Sequence, residues 1–439
     1  MTAEQTSIVE GIRERLRARG LAGYVAFTPS NLFYVTGFRS YFVSEWWRMH
    51  GTVLAFVPAE SELPVTLVLG DFEEKTARES APDLHLSTYR LWVDLSMASE
   101  LATPALSPTR QRPEQWDDGE LDVRVADALR SLRMDSGRVA TDLPHLNVAT
   151  WERLQRTAPD VEWLDFTPEM YEQRLVKQEW EIARLRSAVE LSERGMVGAM
   201  ELARTGMTAS DIRSAYQIAV ASAAIGDPRY AGYTDNWVLP TVGGTTSASY
   251  GSTAKALSRG DLVKFDCGTT VGGYRSDGGR TFAFGEPSSE ARRLHDVLAE
   301  AQRRAREELR PGARIGDAFT AAMSYVRSAG FPTFNRGHVG HSVGIDTFHE
   351  EPPFIGPDCE VRAQAGMVFA VEVPTYTPDV GAIMIEDLIV IRESGPELLH
   401  SLPHELIAVP ARRGPVAQAG DSGGGAPLVG QATQGASPD

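Results

Sequence analysis

The sequence predicts a protein of mixed α/β structure that is built from two domains. Its 439 residues are too many for one ordinary domain. Hydrophobic residues make up 42% of the chain and charged residues 23%, which is typical of globular proteins and supplies enough apolar side chains for a sizeable core. Stretches with helical periodicity alternate with short apolar runs that end in turn residues, as expected where helices pack on a sheet.

Residues 1–165 have the pattern of an N-terminal α/β domain. Ile8, Ile12 and Leu16 recur every fourth residue and predict an amphipathic helix that ends before Gly20. The residues Pro-Ser-Asn at 29–31 are turn formers and predict the end of the first strand. The other elements predicted here are strands at 23–27, 51–57, 64–69 and 138–140 and a helix at 121–132.

A second domain is predicted over residues 166–412. It begins with a long helix, because apolar side chains recur every third residue from Ile182 to Leu191. Strand and helix patterns alternate after this helix until about residue 410. Residues 413–439 have almost no large apolar side chains, so we expect this tail to be disordered because it cannot offset its ordering entropy.

Charge and composition exclude several classes of partner. The formal net charge of −16 disfavours nucleic acid and anionic membrane surfaces. The two cysteines, Cys267 and Cys359, lack the spacing of a zinc knuckle or a redox pair, which fits a reducing compartment. There is no signal-peptide pattern and no run of about 18 apolar residues. We therefore expect a cytoplasmic protein that binds neither nucleic acid nor membranes.

Two aspartates lie in glycine-rich apolar segments. Asp266 ends the run LVKFD, and Asp277 lies in YRSDGGRTF, so that the two segments resemble the strands of a hairpin. If both carboxylates lie close together across that hairpin, they repel each other, and a bound cation is the usual remedy. A surface hairpin with two solvated aspartates explains the same pattern without a metal.

Histidines cluster in one short segment of the second domain. His338, His341 and His349 are three of the nine histidines of the chain and lie within twelve residues. Neutral imidazole beside carboxylates suits Zn, Mn, Fe or Co better than Ca or Mg. A loop with surface histidines is the alternative interpretation of this segment.

Two glutamates interrupt apolar strands. Glu372 lies in GMVFAVEVP and Glu386 in GAIMIEDLIVI. Burying an unpaired carboxylate in a strand is costly unless a partner neutralises it. Together with Asp266, Asp277 and His341, the two glutamates supply five candidate ligands, four of them anionic. That number is enough for two divalent ions that share bridging carboxylates.

Five segments carry a resemblance to a known family. FDCG, YRSDGGRTF, GHSVGIDTFHEEP, GMVFAVEVPTY and IMIEDLIVI resemble, in order and spacing, the metal-binding motifs of the M24 metallopeptidases, the family of creatinase, prolidase and methionine aminopeptidase. The resemblance covers roughly residues 170–410. It implies a C-terminal pita-bread catalytic domain, with two similar halves around a curved sheet. It also implies a creatinase-like mixed-sheet domain at the N-terminus.

The resemblance implies roles for individual residues. Asp266, Asp277, His341, Glu372 and Glu386 would be the ligands of two divalent ions, Mn, Zn or Co, with Asp277 and Glu386 bridging them. Glu372 would also handle the proton of the attacking water, and His349 would stabilise the tetrahedral intermediate. His338 is a candidate for contact with the substrate.

The activity implied by the resemblance is hydrolysis of an amide bond by metal-activated water. It is closest to that of the Xaa-Pro aminopeptidases and dipeptidases, which act on small peptides and are often homodimers. Two further interpretations stay open: a hydrolase of a small non-peptide amide or cyclic amidine, and a pita-bread protein that binds a ligand without turnover. Creatine hydrolysis is disfavoured, because all five ligands are present here.

Three departures from the family pattern concern the substrate. His341 and His349 are eight residues apart where seven is common, which predicts that His349 is displaced or that the loop bulges. Residues 242–250 contain no histidine where prolidases tend to have one, and Met384 replaces the arginine they tend to carry two residues before the last ligand. Those two groups help prolidases hold the proline and the carboxylate of the substrate.

Two other patterns suggest different roles. The segment Gly340–Gly344 fits the G-x-S-x-G nucleophile elbow of serine hydrolases, but the flanking residues do not predict the strand and helix that an elbow needs. Residues 44–50 place Trp46 and Trp47 beside charged side chains. This run is either a core or dimer contact or a loop that lines the substrate cavity of a partner subunit.

Overall fold

The N-terminal part of the chain forms one six-stranded sheet with helices packed on it. The computed structural model describes residues 2–102, 111–243, 255–346 and 350–413. The elements up to the second domain are α1 (Ala3–Ala18), β1 (Gly23–Ala26), α2 (Pro29–Thr36), α3 (Tyr41–Glu45), β2 (Leu54–Pro58), β3 (Thr66–Gly70), α4 (Glu74–Ser80), β4 (His85–Tyr89), α5 (Ala98–Leu101), α6 (Asp118–Ser131), β5 (Ser136–Thr141), α7 (Val148–Thr157), β6 (Asp160–Asp165) and α8 (Thr167–Leu175).

The strands of this sheet lie in the order β4-β3-β2-β1-β5-β6. β1 and β3 each pair antiparallel with β2, whereas the β1–β5, β5–β6 and β3–β4 pairs are parallel. The sheet is therefore mixed, as predicted. Its central strands are buried along their whole length, because helices cover them. The predicted domain boundary at residue 165 stays a prediction; β6 ends at that residue.

The predicted turn after the first strand is instead the start of a helix. Thr28 caps α2 by accepting a hydrogen bond from the backbone N–H of Asn31, and Pro29 occupies the first helical turn. Proline and asparagine favour both turns and helix starts, so the local sequence alone did not separate the two. Strand β4 was not predicted, because His85–Tyr89 lies at the sheet edge with little burial and a weak apolar pattern.

Over its described residues, the second part of the chain has two helix pairs and four small sheets. Its elements are α9 (Glu179–Leu202), α10 (Ala209–Ala224), β7 (Tyr233–Val238), β8 (Thr241–Val242), β9 (Leu262–Lys264), β10 (Cys267–Val271), β11 (Tyr274–Arg275), β12 (Thr281–Phe284), α11 (Ser289–Glu308), α12 (Ile315–Ser328), β13 (Gly340–Ser342), β14 (Glu351–Phe354), β15 (Val368–Glu372), β16 (Thr375–Thr377), β17 (Gly381–Ile383), β18 (Glu386–Arg392), β19 (Gly395–Leu398) and β20 (Ile407–Val409).

This arrangement is the pita-bread fold. The sheets have the strand orders β11-β10-β7, β20-β12-β9-β8, β14-β13-β15-β18-β19 and β16-β17. One apolar core lies between α9, α10 and the first two sheets, and a second lies under α11 and α12. Bridges at Gly278 and Gly279 connect the strands of different sheets, so that the sheets form a continuous surface on which the candidate ligands lie.

Further predictions concern the C-terminal tail, membrane-spanning segments and the run 44–50. The predicted disordered tail, residues 413–439, lies outside the described residues from 414 onward. Over the ranges that the structure describes, every helix is too short or too polar to span a bilayer. In the run 44–50, Trp46 stacks on Trp92 with ring centroids 5.7 Å apart, whereas the side chain of Trp47 is 75% exposed.

Candidate metal centre and active site

Three of the predicted ligands meet in the interior of the second domain. Asp277, His341 and Glu386 are all buried, and each offers a ligand atom within 4.8 Å of the others. They come from the β11–β12 connection, from β13 and from the first position of β18. Nε2 of His341 lies 3.4 Å from Oδ2 of Asp277. The fold therefore brings together side chains that are up to 109 residues apart in sequence (386 − 277).

The other two predicted ligands lie around this group. Glu372 is the last residue of β15 and is directly opposite Glu386 in the antiparallel register. Asp266 follows β9 and is only half-buried. Like charges directly opposite each other destabilise a strand pair. A sheet that places Glu372 across from Glu386 is therefore poorly stable unless cations bind between them.

The electrostatics of the group are those of closely spaced, buried carboxyl groups. Burial, then Asp266 and Glu372, raise the pKa of Asp277 well above its ordinary value. Burial, then Asp277 and Glu372, raise the pKa of Glu386 in the same way. Burial also raises the pKa of Glu372, although the guanidinium of Arg336 opposes the shift. All three carboxyl groups would bind a divalent cation in their ionised form.

The histidine is oriented as a ligand. Its Nδ1 lies 3.0 Å from the carbonyl oxygen of Ser342, and an N–H at this position donates to that oxygen. The lone pair is then on Nε2, the nitrogen that faces Asp277. Burial lowers the pKa of His341, which favours the neutral form that binds metals.

These residues fit the dinuclear centre that the resemblance implies. Oε2 of Glu386 is buried and has no hydrogen-bond partner among the described residues. A buried carboxylate oxygen without a partner is costly unless an ion binds it. Carboxylates and one imidazole are the donor set that Mn, Zn and Co accept.

Two cations line the group, and the sequence patterns did not single them out. Nζ of Lys264 lies 3.1 Å from Oδ2 of Asp266, and Nη2 of Arg336 lies 2.9 Å from Oε1 of Glu372. Burial acts to lower the pKa of Lys264, but Asp266 and Tyr376 raise it by more, so the ammonium stays charged. Lys264 is two residues before Asp266 on the same face of its strand, which is the one sequence signal that could have indicated it.

Close backbone approach positions the ligands. A Cβ at Gly279 would lie 2.3 Å from Sδ of Met384 and 2.7 Å from the carbonyl oxygen of Phe265. The backbone N–H and C=O of Gly279 are hydrogen-bonded to Glu386, at 3.2 and 3.0 Å. The glycines after Asp277 therefore let its segment lie against β18, which sets the distance between Asp277 and Glu386.

A buried ion-pair network supports the same strand from the other face. Asp387 is fully buried and bonds Nη2 of Arg280 at 2.5 Å, Nε2 of Gln302 at 2.8 Å and Nε2 of His404 at 2.7 Å. Nη1 of Arg280 also donates to the backbone carbonyl of Glu386 at 2.8 Å. Arg280 thus fixes the backbone of a candidate ligand while its charge is balanced by Asp387.

The structure describes some of the remaining predicted residues but not others. Nδ1 of His338 lies 3.7 Å from Oε1 of Glu372, and its partly exposed ring contacts Phe354. His338 is thus at the edge of the site. His349 and residues 244–250 lie outside the described residues. Met384 is buried against Gly279 and brings no charge to the site.

The geometry at Ser342 does not support a serine hydrolase. Ser342 is the last residue of β13, and the next described elements are loop and strand, not the helix of a nucleophile elbow. Its buried hydroxyl accepts a hydrogen bond from Nζ of Lys177 at 3.3 Å. The candidate bases are engaged elsewhere, since Nδ1 of His400 accepts from Leu388 and His404 bonds Asp387.

Fold and site together define a pita-bread protein with a creatinase-like N-terminal domain. Residues 183–393 match the model of metallopeptidase family M24, and residues 9–176 match that of the creatinase/prolidase N-terminal domain. The two matches together span most of the chain. Residues 183–393 therefore form a domain of metallopeptidase family M24.

Named relatives agree with this assignment. The chain is 34% identical over 239 residues to the "Probable dipeptidase PepE" of Mycobacterium tuberculosis H37Rv. The match covers 54% of this chain and 61% of that relative's length. It is 25% identical over 341 residues to the Xaa-Pro dipeptidase of Lactobacillus helveticus, covering 75% of this chain and 90% of the relative. The X-Pro aminopeptidase structure from Thermotoga maritima superposes with a TM-score of 0.72 at 21% identity, covering 91% of this chain and 99% of that one.

Proposed function

We propose that this protein is a dinuclear metal-dependent Xaa-Pro peptidase. The observation that carries the proposal is the buried register pair of Glu372 and Glu386, with Asp277 and His341 beside it. Divalent cations bound between these buried carboxylates would offset their mutual repulsion. Family membership and the Xaa-Pro dipeptidases among the relatives support the choice of substrate.

In this proposal Asp266, Asp277, His341, Glu372 and Glu386 would hold the two ions. When bound, the ions lower the pKa of water and polarise the scissile carbonyl. Glu372 would accept the proton of the attacking water and pass it to the leaving nitrogen. His349 donates a hydrogen bond to the developing oxyanion, and His338 contacts the substrate.

Elemental analysis tests the metal centre. We expect the protein to retain two Mn ions per chain after loading and dialysis, and Asp277→Ala to lose them. Asp261→Ala is the matched control, because Asp261 pairs with Lys255 outside the cluster and its loss should leave the metal content unchanged. A wild-type protein that retains no metal would favour the interpretation as a binding protein without turnover.

Peptide hydrolysis tests the reaction. The protein loaded with Mn, Zn or Co should release proline from Ala-Pro, and the chelated protein should not. Retention of two ions without cleavage of any Xaa-Pro di- or tripeptide would favour a non-peptide amide as the substrate. Comparing the three loaded forms identifies the metal that supports turnover.

We also propose that the protein is a homodimer located in the cytoplasm. The exposed Trp47 is the side chain by which the loop 44–50 would reach a partner subunit. If the loop lines the partner's cavity, Trp47→Ala should raise KM while light scattering still reports a dimer. Unchanged kinetics in an intact dimer would leave the loop as a structural contact.

A further inference from the structure

A buried lysine lies behind the strand that carries His341. Lys177, in the segment between α8 and α9, is 4% exposed, and its Nζ donates a hydrogen bond to Oγ of Ser342 at 3.3 Å. Its backbone N–H donates to the carbonyl oxygen of Gly366 at 2.9 Å, just before β15. Because β15 pairs with β13, the lysine reaches Ser342 from a backbone that is fixed to the same sheet.

Packing does not explain an ammonium at this position. Burial lowers the pKa of Lys177, although the carboxylates of Glu351 and Glu181 oppose the shift. Both carboxylates have other donors: Glu351 accepts two backbone N–H groups at 2.8 and 3.0 Å, and Glu181 accepts from the hydroxyl of Tyr274 at 2.8 Å. An apolar side chain of similar length would fill the same space without the cost of burying a charge. The hydrogen bond to Ser342 is therefore what the ammonium adds.

The strand needs an anchor at Ser342. In the β13–β14 pair, His341 lies opposite Phe354. Its neighbour Ser342 lies opposite Glu351, so the register is irregular between the two positions, as it is where a bulge re-aims side chains beside an active site. The residues passed over on β14 are Pro352–Pro353, which have no backbone N–H to donate. On this side of β13, the backbone at Ser342 thus receives less support than a regular strand pair would supply.

Ser342 also sets the direction of the imidazole ring of His341. Its carbonyl oxygen lies 3.0 Å from Nδ1 of His341, which turns Nε2 toward Asp277 at 3.4 Å. Hydrogen-bond partners of this kind fix the orientation of histidines that bind metals. A displacement of Ser342 would therefore turn the ring away from the carboxylates of the cluster.

We propose that Lys177 is a positioning residue for the metal centre: it anchors Ser342, which in turn holds the ring of His341 toward the ions. In this role Lys177 acts on the affinity for metal through Ser342 and does not bind the ions itself. The inference rests on the proposed function for the presence of the ions, and it is independent of the substrate.

Mn titration of the chelated proteins tests the proposal. Lys177→Met should weaken the binding of Mn, at the site that includes His341, about 10- to 100-fold, which is the loss typical of removing such an outer contact. Ser342→Ala removes the acceptor and should weaken binding to a similar extent. The double variant should bind no more weakly than the weaker single variant, because both substitutions remove the same hydrogen bond. Isothermal titration calorimetry measures the affinity of all four proteins.

A buried cation elsewhere in the molecule provides the matched control. Arg153, on α7, is 5% exposed and donates to Asp122 at 2.8 Å. Arg153→Met removes a buried charge in the same way, but its Mn affinity should match that of wild type. The absorption spectrum of the Co-loaded proteins reports the ligand geometry, and it should change in Lys177→Met and stay unchanged in Arg153→Met.

Three results would overturn the proposal. A wild-type Mn affinity in Lys177→Met would mean that His341 keeps its orientation without the lysine. Losses that add in the double variant would mean that Lys177 and Ser342 act separately, and an equal loss in Arg153→Met would reflect general destabilisation. Circular dichroism verifies that each variant is folded; if Lys177→Met is not, Ser342→Ala takes its place in both measurements.

Measurements on wild type separate this inference from the proposed function. If wild type binds Mn but cleaves no Xaa-Pro peptide, the proposed peptidase activity fails, while a weaker Mn affinity of Lys177→Met still supports the inference. If wild type cleaves Ala-Pro and Lys177→Met binds Mn equally well, the inference alone fails. A wild-type protein that binds none of Mn, Zn and Co overturns both.

Discussion

His295 shows how one buried side chain makes the stability of this protein depend on pH. It lies on α11, it is 1% exposed, and its Nδ1 has no hydrogen-bond partner among the described residues. Burial, and then the charge of Arg280, lower the pKa of His295 from 6.5 to about 4. Charging this ring inside the fold is therefore unfavourable, whereas the unfolded chain charges it freely.

We expect the free energy of unfolding to fall as the pH drops from 6.5 to about 4, in part because of His295. In this window the unfolded state binds a proton that the folded state does not. His295→Leu lacks this contribution, so its stability relative to wild type should improve by up to about 3 kcal/mol across the window. Denaturant unfolding of both proteins, after chelation of metal, between pH 7 and 4.5 measures this difference in stability. The carboxylates that both proteins share titrate equally, so their contribution cancels in the difference. Plots of stability against pH that run parallel for the two proteins would contradict the prediction.

At the scale of an element, β18 carries two adjacent carboxylates in opposite environments. Successive strand residues point to opposite faces, so Glu386 faces the other candidate ligands and Asp387 faces Arg280. Burial, and then the neighbouring carboxylates, raise the pKa of Glu386, whereas Arg280 and His404 lower the pKa of Asp387 despite its burial. In the metal-free protein, the charge of Glu386 therefore lowers the stability of the fold, whereas the charge of Asp387 raises it.

Substitutions at the two positions should change stability in opposite directions. In chelated protein at neutral pH, Glu386→Gln should leave the free energy of unfolding unchanged or raise it by about 1 kcal/mol, because like-charge repulsion is removed. Asp387→Asn should lower it by about 3 kcal/mol, because Arg280 is left buried without its anion. Thermal unfolding of both variants compares them, and a loss at Glu386 as large as that at Asp387 would contradict this account.

The packing of β18 against the segment after Asp277 gives a second prediction for this element. Gly279→Ala places a methyl group 2.7 Å from a backbone carbonyl that cannot move aside easily. We expect a loss of about 2 kcal/mol in stability and weaker Mn binding, because Asp277 and Glu386 are forced apart. Gly119→Ala, at an exposed position in the first turn of α6 where φ is not positive, is the control, so metal titration of that variant should match wild type.

At the scale of the whole molecule, one arginine ties the N-terminal part to the second domain. Arg174, at the end of α8, is 4% exposed and pairs with both oxygens of Asp346 at 3.0 and 2.9 Å. It also lies 3.4 Å from Glu351 and donates to the side chain of Asn31 at 2.9 Å. Side chains from both parts of the chain thus share one buried guanidinium, which links the two parts.

Removing this contact should destabilise the protein far more than removing a surface ion pair. Arg174→Met leaves two acidic side chains buried beside each other and should cost about 3–5 kcal/mol. Arg186→Met breaks the exposed pair with Glu397 and should cost less than about 1 kcal/mol. Denaturant unfolding followed by tryptophan fluorescence compares the two, and equal losses would show that Arg174 does not couple the two parts.

Much of this architecture could be predicted from local patterns. The helical spacing from Ile182 to Leu191 predicted α9, and apolar runs predicted the central strands of the first sheet. The patterns missed β4, whose edge position requires little burial, and they did not identify Lys264 or Arg336. The sequence position of a single cationic side chain does not indicate which carboxylate it pairs with, because strand pairing determines that contact.

The sequence by itself determined the order of the elements and the residue types that could hold a metal, because periodicity and the cost of a buried carboxylate are local properties. Only the tertiary structure decided that Glu372 faces Glu386 in register and that Asp277 and His341 join them. It also decided that the ammonium of Lys264 pairs with Asp266. Distances between strands depend on sheet pairing and on the close approach at Gly279, and neither can be read from residue order alone.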